Sequence, residues 1–230
     1  MKVLLTTLNS KFIHTNLAIR YIKESIKDLV DVDIREYTIN NQLDYILKDI
    51  YLAKYDAIFF STYIWNIYDI VKLCENIKKV NPNVIIGLGG PEVSYDSEEA
   101  MEKYEFVDYI IRGEGEMVMR DLMKHFHGEM DIKHVDGITY RQDGKIIQNK
   151  ERMLLADLDL IPSPYENLDI TEYENRIVYY ETSRGCPFNC QYCLSSAIKG
   201  LRYFGIDRVK RDLKNLIDAR VSQIKFIDRT

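Results

Sequence analysis

Three of the chain's four cysteines fall within eight residues, in Arg184-Gly185-Cys186-Pro187-Phe188-Asn189-Cys190-Gln191-Tyr192-Cys193, and the fourth, Cys74, stands alone in a helical pattern. Such clustering points to a metal site in a reducing compartment rather than to a disulfide framework. Thiolates take soft metals. A structural zinc site asks for four ligands, commonly as two CxxC knuckles. Here there is no second CxxC and no CxxH, and His125, His127 and His134 lie elsewhere in the chain. Three cysteines without a fourth suit a four-iron cluster whose remaining iron is open to a substrate or cofactor. A zinc site or a purely structural loop is the alternative reading.

The elements around the motif are a strand at Ile177–Glu181, a helix over Asp207–Arg220 carrying apolar Val209, Leu213, Leu216 and Ile217, and a strand at Gln223–Asp228. In parallel (β/α) barrels the carboxyl edge of the strands carries the chemistry. Asp228, at such an end, is a candidate polar contact, with a solvated strand-end carboxylate as the plainer reading. One strand–helix–strand unit cannot bury both faces of its strands, so either it packs on the first domain or, as is expected here, it is a piece of a longer barrel.

Residues 1–127 alternate strand and helix patterns. Val3–Thr7, Ala57–Thr62, Val84–Leu88 and Val107–Ile111 are near-continuous apolar runs, as buried parallel strands are, whereas Val32–Tyr37 alternates like an edge strand. Ile19, Ile22, Ile26 and Leu29 line one helix face; Ile67, Ile70, Val71, Cys74, Ile77 and Val80 line another. The expected fold is α/β: a five-stranded parallel, Rossmann-like domain of flavodoxin type over 1–130, then a β-hairpin turning at Asp143-Gly144 and a linker with Pro162 and Pro164 over 131–174, then the first part of a barrel over 175–230.

Ligands of open parallel sheets bind at the carboxyl ends of the strands. Four loops stand there. The first carries Asn9, Ser10 and His14; the second Ser61, Thr62, Tyr63 and Trp65; the third Gly89, Gly90, Pro91 and Glu92; the fourth Gly113, Glu114 and Gly115. Paired glycines let a flat or bulky ligand approach the backbone. The plainer readings are helix caps for Ser10, Thr15, Ser61, Thr62 and Asn66, a turn for the glycines, a core position for Trp65, and acids placed well at a helix start for Glu114 and Glu116. No GxGxxG follows the first strand and no P-loop is present.

The spacing CxxxCxΦC, with Tyr192 at the aromatic position, resembles that of the radical S-adenosylmethionine (SAM) enzymes over roughly residues 175–230. The resemblance implies that Cys186, Cys190 and Cys193 hold a [4Fe–4S] cluster whose open iron chelates SAM, that Tyr192 lies against the adenine, and that an external one-electron reductant drives SAM cleavage. An α/β domain ahead of such a barrel resembles the cobalamin-binding class of that family. That resemblance implies cobalamin at the four loops, with Ser61 and Thr62 near its nucleotide tail and Tyr63 and Trp65 over the corrin. Where the class carries DxHxxG, only His14 matches, since Phe12 and Leu17 stand at the Asp and Gly positions. The expected activity is radical chemistry such as methylation of an unactivated carbon. The rival readings are a cobalamin or small-ligand module without catalysis and a radical SAM enzyme with a vestigial first domain. A methylthiotransferase layout asks for further cysteines before residue 186, where only Cys74 occurs.

The chain has 230 residues, 46% hydrophobic and 29% charged, an ordinary globular balance that excludes disordered and collagen-like classes. Its net charge of −5 argues against a nucleic-acid partner. No apolar run reaches the ~18–20 residues of a membrane span. The expected location is cytoplasmic and the expected partner a small-molecule substrate.

Overall fold

The computed structural model describes residues 1–166, 168–188, 190–194 and 200–228. The chain forms two compact units: Met1–Phe12 with Ala18–Met153, and Ile13–Leu17 with Leu154–Thr230. No helix among the described residues is long and apolar enough to cross a membrane.

The first unit is built on β1 (Lys2–Asn9), β2 (Asp31–Thr38), β3 (Ala57–Ser61), β4 (Ile85–Gly89) and β5 (Tyr109–Ile111), all parallel, and on the antiparallel pair β6 (Ile138–Gln142) and β7 (Lys145–Gln148). The sheet order is β2-β1-β3-β4-β5-β6-β7. Successive side chains of a strand point to opposite faces, and the apolar runs divide accordingly. Leu4, Leu8, Ile58 and Phe60 pack with Ile46 and Ile50 of α2 (Leu43–Ala53) and with Ile70, Leu73 and Ile77 of α3 (Ile67–Val80). Val3, Leu5, Ala57 and Phe59 pack on the other face with Ile19 and Ile26 of α1 (Leu17–Ile26) and with Val118, Met119 and Leu122 of α6 (Gly115–Phe126). The result is a three-layer α/β unit with β2 at one edge, as its alternation predicts. Two shorter helices, α4 (Pro91–Ser94) and α5 (Ser97–Lys103), lie between β4 and β5.

The hairpin is not a separate connector. Asp143 (φ 50°) and Gly144 (φ 73°) form the left-handed pair that a tight two-residue turn requires, and β6 pairs with β5 in the register Tyr109↔Tyr140. Val135, Ile138 and Tyr140 are buried in the face that holds α1 and α6. The three-residue β5 thereby gains a second partner, and the sheet has seven strands rather than five.

The second unit contains β8 (Val178–Tyr180), β9 (Ser183–Cys186), β10 (Gly200–Tyr203), α7 (Ile206–Asp218) and β11 (Ile224–Phe226). β11 runs parallel to β8, and β9 pairs antiparallel with β10. The sequence places the cysteines on a loop between strand and helix; the structure instead starts that loop from a ribbon. Gly185 (φ 97°) comes so close to the Gly200 carbonyl that a Cβ would overlap it. The segment expected to be a linker is buried: Leu158, Ile161, Ser163 and Tyr165 are each at most 5% exposed. Its carbonyls are taken by α7, with Arg208 Nη1 donating to Leu158 (3.2 Å) and Ile161 and Asn215 Nδ2 donating to Tyr165 (3.1 Å). Both carboxylate oxygens of Asp159 accept from the Gly205 amide at the start of that helix (3.0 and 3.2 Å).

Candidate functional site

The carboxyl ends of the parallel strands carry the four loops. Asn9 ends β1 buried, its Nδ2 donating to Glu36 Oε1 (3.2 Å). Glu36 pairs with Arg20 at 2.9 Å, with side chains only 3% and 5% exposed. Ser10 follows, half-buried. His14 belongs by its contacts to the second unit. Its Nδ1 shares a 2.6 Å hydrogen bond with the Tyr179 hydroxyl, and its backbone bridges to Ile177. Thr15 Oγ1 donates to the Ile177 carbonyl (2.9 Å) and Ile177 N donates to Ile13 O (2.7 Å), so Thr15 serves this bridge and not a helix cap.

The second loop is organised by Asn66, which sequence reasoning treats only as a cap. Its Oδ1 accepts from Tyr63 N (2.7 Å), and its buried Nδ2 donates to the carbonyls of Leu8 (3.1 Å) and Ser61 (3.2 Å). The sequence offers Asn66 only as a cap before α3, because the Leu8 carbonyl that it holds lies 58 residues away. Ser61 is buried, and its carbonyl also accepts from Thr7 Oγ1 (2.9 Å). Thr62 is fully buried, and both its amide and its hydroxyl donate to the Gly89 carbonyl at 2.7 Å. That hydroxyl proton rivets β3 to β4 and is not available to a nucleotide tail. The loop's apex turns outward instead. Tyr63 and Trp65 stack at 4.5 Å with planes 5° apart, Trp65 is 48% exposed rather than core, and Ile64 is 80% exposed.

In the third loop Gly89 ends β4. Gly90 (φ 104°) is demanded by its own chain, because a Cβ there would overlap the Thr62 carbonyl oxygen and stand 3.0 Å from the Thr62 nitrogen. Pro91 and Glu92 begin α4 and are exposed. The fourth loop is roomier: Gly113 (φ 71°) has nothing within 4 Å of where a Cβ would be. Glu114 stands before α6 without capping it, and Gly115 packs closely on Ile22, whose Cδ1 would lie 3.0 Å from a Cβ. Exposed aromatic and aliphatic side chains gathered at a strand edge are the kind of surface that a flat macrocycle covers. Tyr63, Ile64, Trp65 and the open Gly113 loop fit a corrin in that respect. A cleft of about 420 Å³ lies at the opposite edge, among Ile50, Tyr55, Asp56, Ile77 and Val84, away from these loops.

In the second unit Cys186 and Cys193 are half-buried and Cys190 is exposed, and none of the three is in a disulfide. The Cys193 amide donates to the Cys190 carbonyl (3.1 Å), and Tyr192 is 93% exposed. Among the described residues no three His, Cys, Asp or Glu side chains are gathered closely enough to hold a metal ion. The donor set itself, three cysteines on one short loop, fits an iron–sulfur cluster with an open iron. Asp228 lies past the end of β11. Its Oδ1 accepts from Thr182 N (2.7 Å), Thr182 Oγ1 (2.8 Å) and Ser183 Oγ (2.8 Å). Partial burial works against its charge, but these bonds outweigh it and hold the carboxyl below the ordinary carboxylate range.

Comparison with known proteins agrees with this geometry. The B12 binding domain family matches residues 3–123. The chain is 34% identical over 170 residues to an uncharacterized methyltransferase of Pyrococcus horikoshii, covering 71% of this chain and 37% of that protein. It is 29% identical over 170 residues to the cobalamin-dependent radical SAM methyltransferase TokK of Streptomyces tokunonensis, covering 69% of this chain and 25% of that one. The fold matches the cobalamin-dependent SAM radical enzyme OxsB, solved with aqua-cobalamin and SAM bound, at a TM-score of 0.80 and 21% identity over 99% of this chain and 34% of OxsB. It matches the radical SAM methyltransferase TsrM of Kitasatospora setae, solved with cobalamin and a [4Fe–4S] cluster, at 0.79 and 13% identity over 99% of this chain and 47% of that one. The chain thus spans about a third of the length of the relatives it matches. Through residues 3–123, more than half its length, the chain belongs to the B12-binding domain family.

Proposed function

We propose that this chain provides the cobalamin-binding domain and the cluster-bearing beginning of the barrel of a radical SAM enzyme, of the class that methylates unactivated carbon. The observation that carries the reading is the CxxxCxxC loop of three cysteines following a B12-binding family domain in one chain. Bound together, a [4Fe–4S] cluster and cobalamin supply reductive cleavage of SAM and methyl transfer, with electrons from an external one-electron donor. Cys186, Cys190 and Cys193 hold iron through their thiolates. Cys186 is set by the ribbon it ends, while exposed Cys190 is free to close on the metal. Tyr63 and Trp65 lay a stacked apolar surface beneath a corrin and shield that face from water. Gly113 leaves the fourth loop open to bulk. Tyr192, fully in solvent, is available to lie against an adenine. The substrate class is a small molecule.

Anaerobic reconstitution with iron and sulfide, and separate titration with hydroxocobalamin followed by gel filtration, test the reading. The expected result is about four irons per chain with a charge-transfer band that a C186A/C190A/C193A variant lacks, and a retained corrin spectrum weakened by Trp65→Ala. Iron uptake unchanged in the triple variant, or a chain that retains no corrin, refutes the respective half.

A further inference from the structure

We infer that Asp228 is a positioning residue for the cysteine loop: its carboxylate clamps the start of β9, so that Cys186 is presented at a fixed place. The inference rests on the proposed cluster-binding role of Cys186. Sequence reasoning weighs Asp228 as a cofactor contact or a solvated strand-end carboxylate, and the structure gives its Oδ1 a third use inside the protein. One oxygen takes three donors, the Thr182 amide (2.7 Å) and the hydroxyls of Thr182 and Ser183 (2.8 Å each). Hydrogen bonds to an ionised acceptor are about twice as strong as neutral ones.

The clamp sits where chain direction changes. The parallel ladder of β8 and β11 ends with Ile227 N donating to Tyr180 O (2.9 Å). Beyond it the chain leaves β8 for β9, and Asp228, one residue past that rung, reaches across to catch the departing chain. Thr182 is then held from two sides: its amide by Asp228 and its carbonyl by the Phe204 amide (2.9 Å). Arg184 is tied to Glu181 at 2.8 Å. Gly185 is pressed against Gly200, at a φ of 97° that only glycine adopts readily. Cys186 is the last residue of the four-residue strand between these anchors. Removing the carboxylate leaves two hydroxyls and an amide without their acceptor at the ribbon's root, while the β8–β11 pairing loses no backbone hydrogen bond.

Backbone amide exchange of the metal-free chain over Thr182–Cys186, measured with iron uptake after reconstitution, tests the clamp. Asp228→Ala is expected to speed exchange there roughly tenfold or more, the scale on which losing one charge-assisted hydrogen bond shifts a local opening equilibrium, and to lower retained iron. Asp228→Asn, whose amide oxygen still accepts, is expected to restore part of both. A Thr182→Val/Ser183→Ala double variant removes two donors but leaves the carboxylate in place, and is expected to resemble Asp228→Ala; it also keeps the test decisive if Asp228→Ala does not fold. Wild-type exchange in Asp228→Ala or in the double variant overturns the clamp. If the unmutated chain takes up no iron while exchange still rises in both variants, the clamp stands and the cluster reading falls. If iron uptake is normal and exchange is unchanged in the variants, the clamp falls and the cluster reading stands.

Discussion

Replacing Gly90 by alanine measures how tightly the third loop is bound to its own protein. At φ 104° an alanine pays for a conformation that L-residues rarely adopt, roughly 1–3 kcal/mol. Its Cβ would also overlap the Thr62 carbonyl oxygen and stand 3.0 Å from the Thr62 nitrogen, backbone atoms that cannot swing aside. Relief requires the chain at Thr62 to move, and that movement strains two hydrogen bonds of 2.7 Å from Thr62 to Gly89, each contributing about 1 kcal/mol net. With both bonds lost the total is about 3–5 kcal/mol. The assay is urea unfolding followed by far-ultraviolet circular dichroism, with a lower midpoint at unchanged slope as the signature. Gly113→Ala is the control: it shares a positive φ of 71° but meets no atom within 4 Å, so it costs only about 1 kcal/mol. A Gly90→Ala midpoint equal to that of the wild type, or two equally destabilised variants, refutes the reasoning. A stable Gly90→Ala chain that loses only corrin would show that the glycine serves a ligand and not the Thr62 contact.

The buried Arg20–Glu36 pair predicts that Glu36→Gln, which removes the charge facing a buried guanidinium, costs about 3–5 kcal/mol; equal midpoints for the variant and the wild type would contradict this. Asp49 supplies a pH dependence. Burial opposes its charge, but the Tyr37 hydroxyl (2.6 Å) and Arg35 (2.7 Å) outweigh burial and lower its pKa from the ordinary 3.8. A carboxyl depressed in the folded state stabilises above its unfolded value and loses that contribution as pH falls through 3.8 toward the folded value. Acid titration of stability is therefore expected to be shallower in Asp49→Asn below about pH 4, and identical curves would refute the assignment.

Four of the five parallel strands were legible because strands buried on both faces leave unbroken apolar runs, and β2 was legible as an edge because it alternates. The hairpin was legible in Asp143-Gly144, but its docking was not, since the bare edge of three-residue β5 exists only in three dimensions. Pro162 and Pro164 suggested an extended linker, but the segment begins with a 3-10 turn at Leu158–Leu160 and is buried, its carbonyls taken by Arg208 and Asn215. The cysteines announced themselves by spacing. The roles of Thr62 and His14 did not, because their partners Gly89 and Tyr179 lie 27 and 165 residues away, and the ribbon at Gly185 depends on a glycine with no periodic relation to it.

The added hairpin also changes what the sheet offers to other chains. Without β6 and β7, β5 would present a row of unpaired amides and carbonyls, an invitation to strand addition and fibril growth. With them, the sheet ends on a four-residue strand opening on Lys145, and at its far side on β2, which carries Asp31, Asp33, Arg35 and Glu36. Both rims are short or charged, the two devices by which natural sheets discourage lateral assembly. The parallel sheet can therefore expose the apolar apex of its second loop, Ile64 and Trp65, without also offering an adhesive flank.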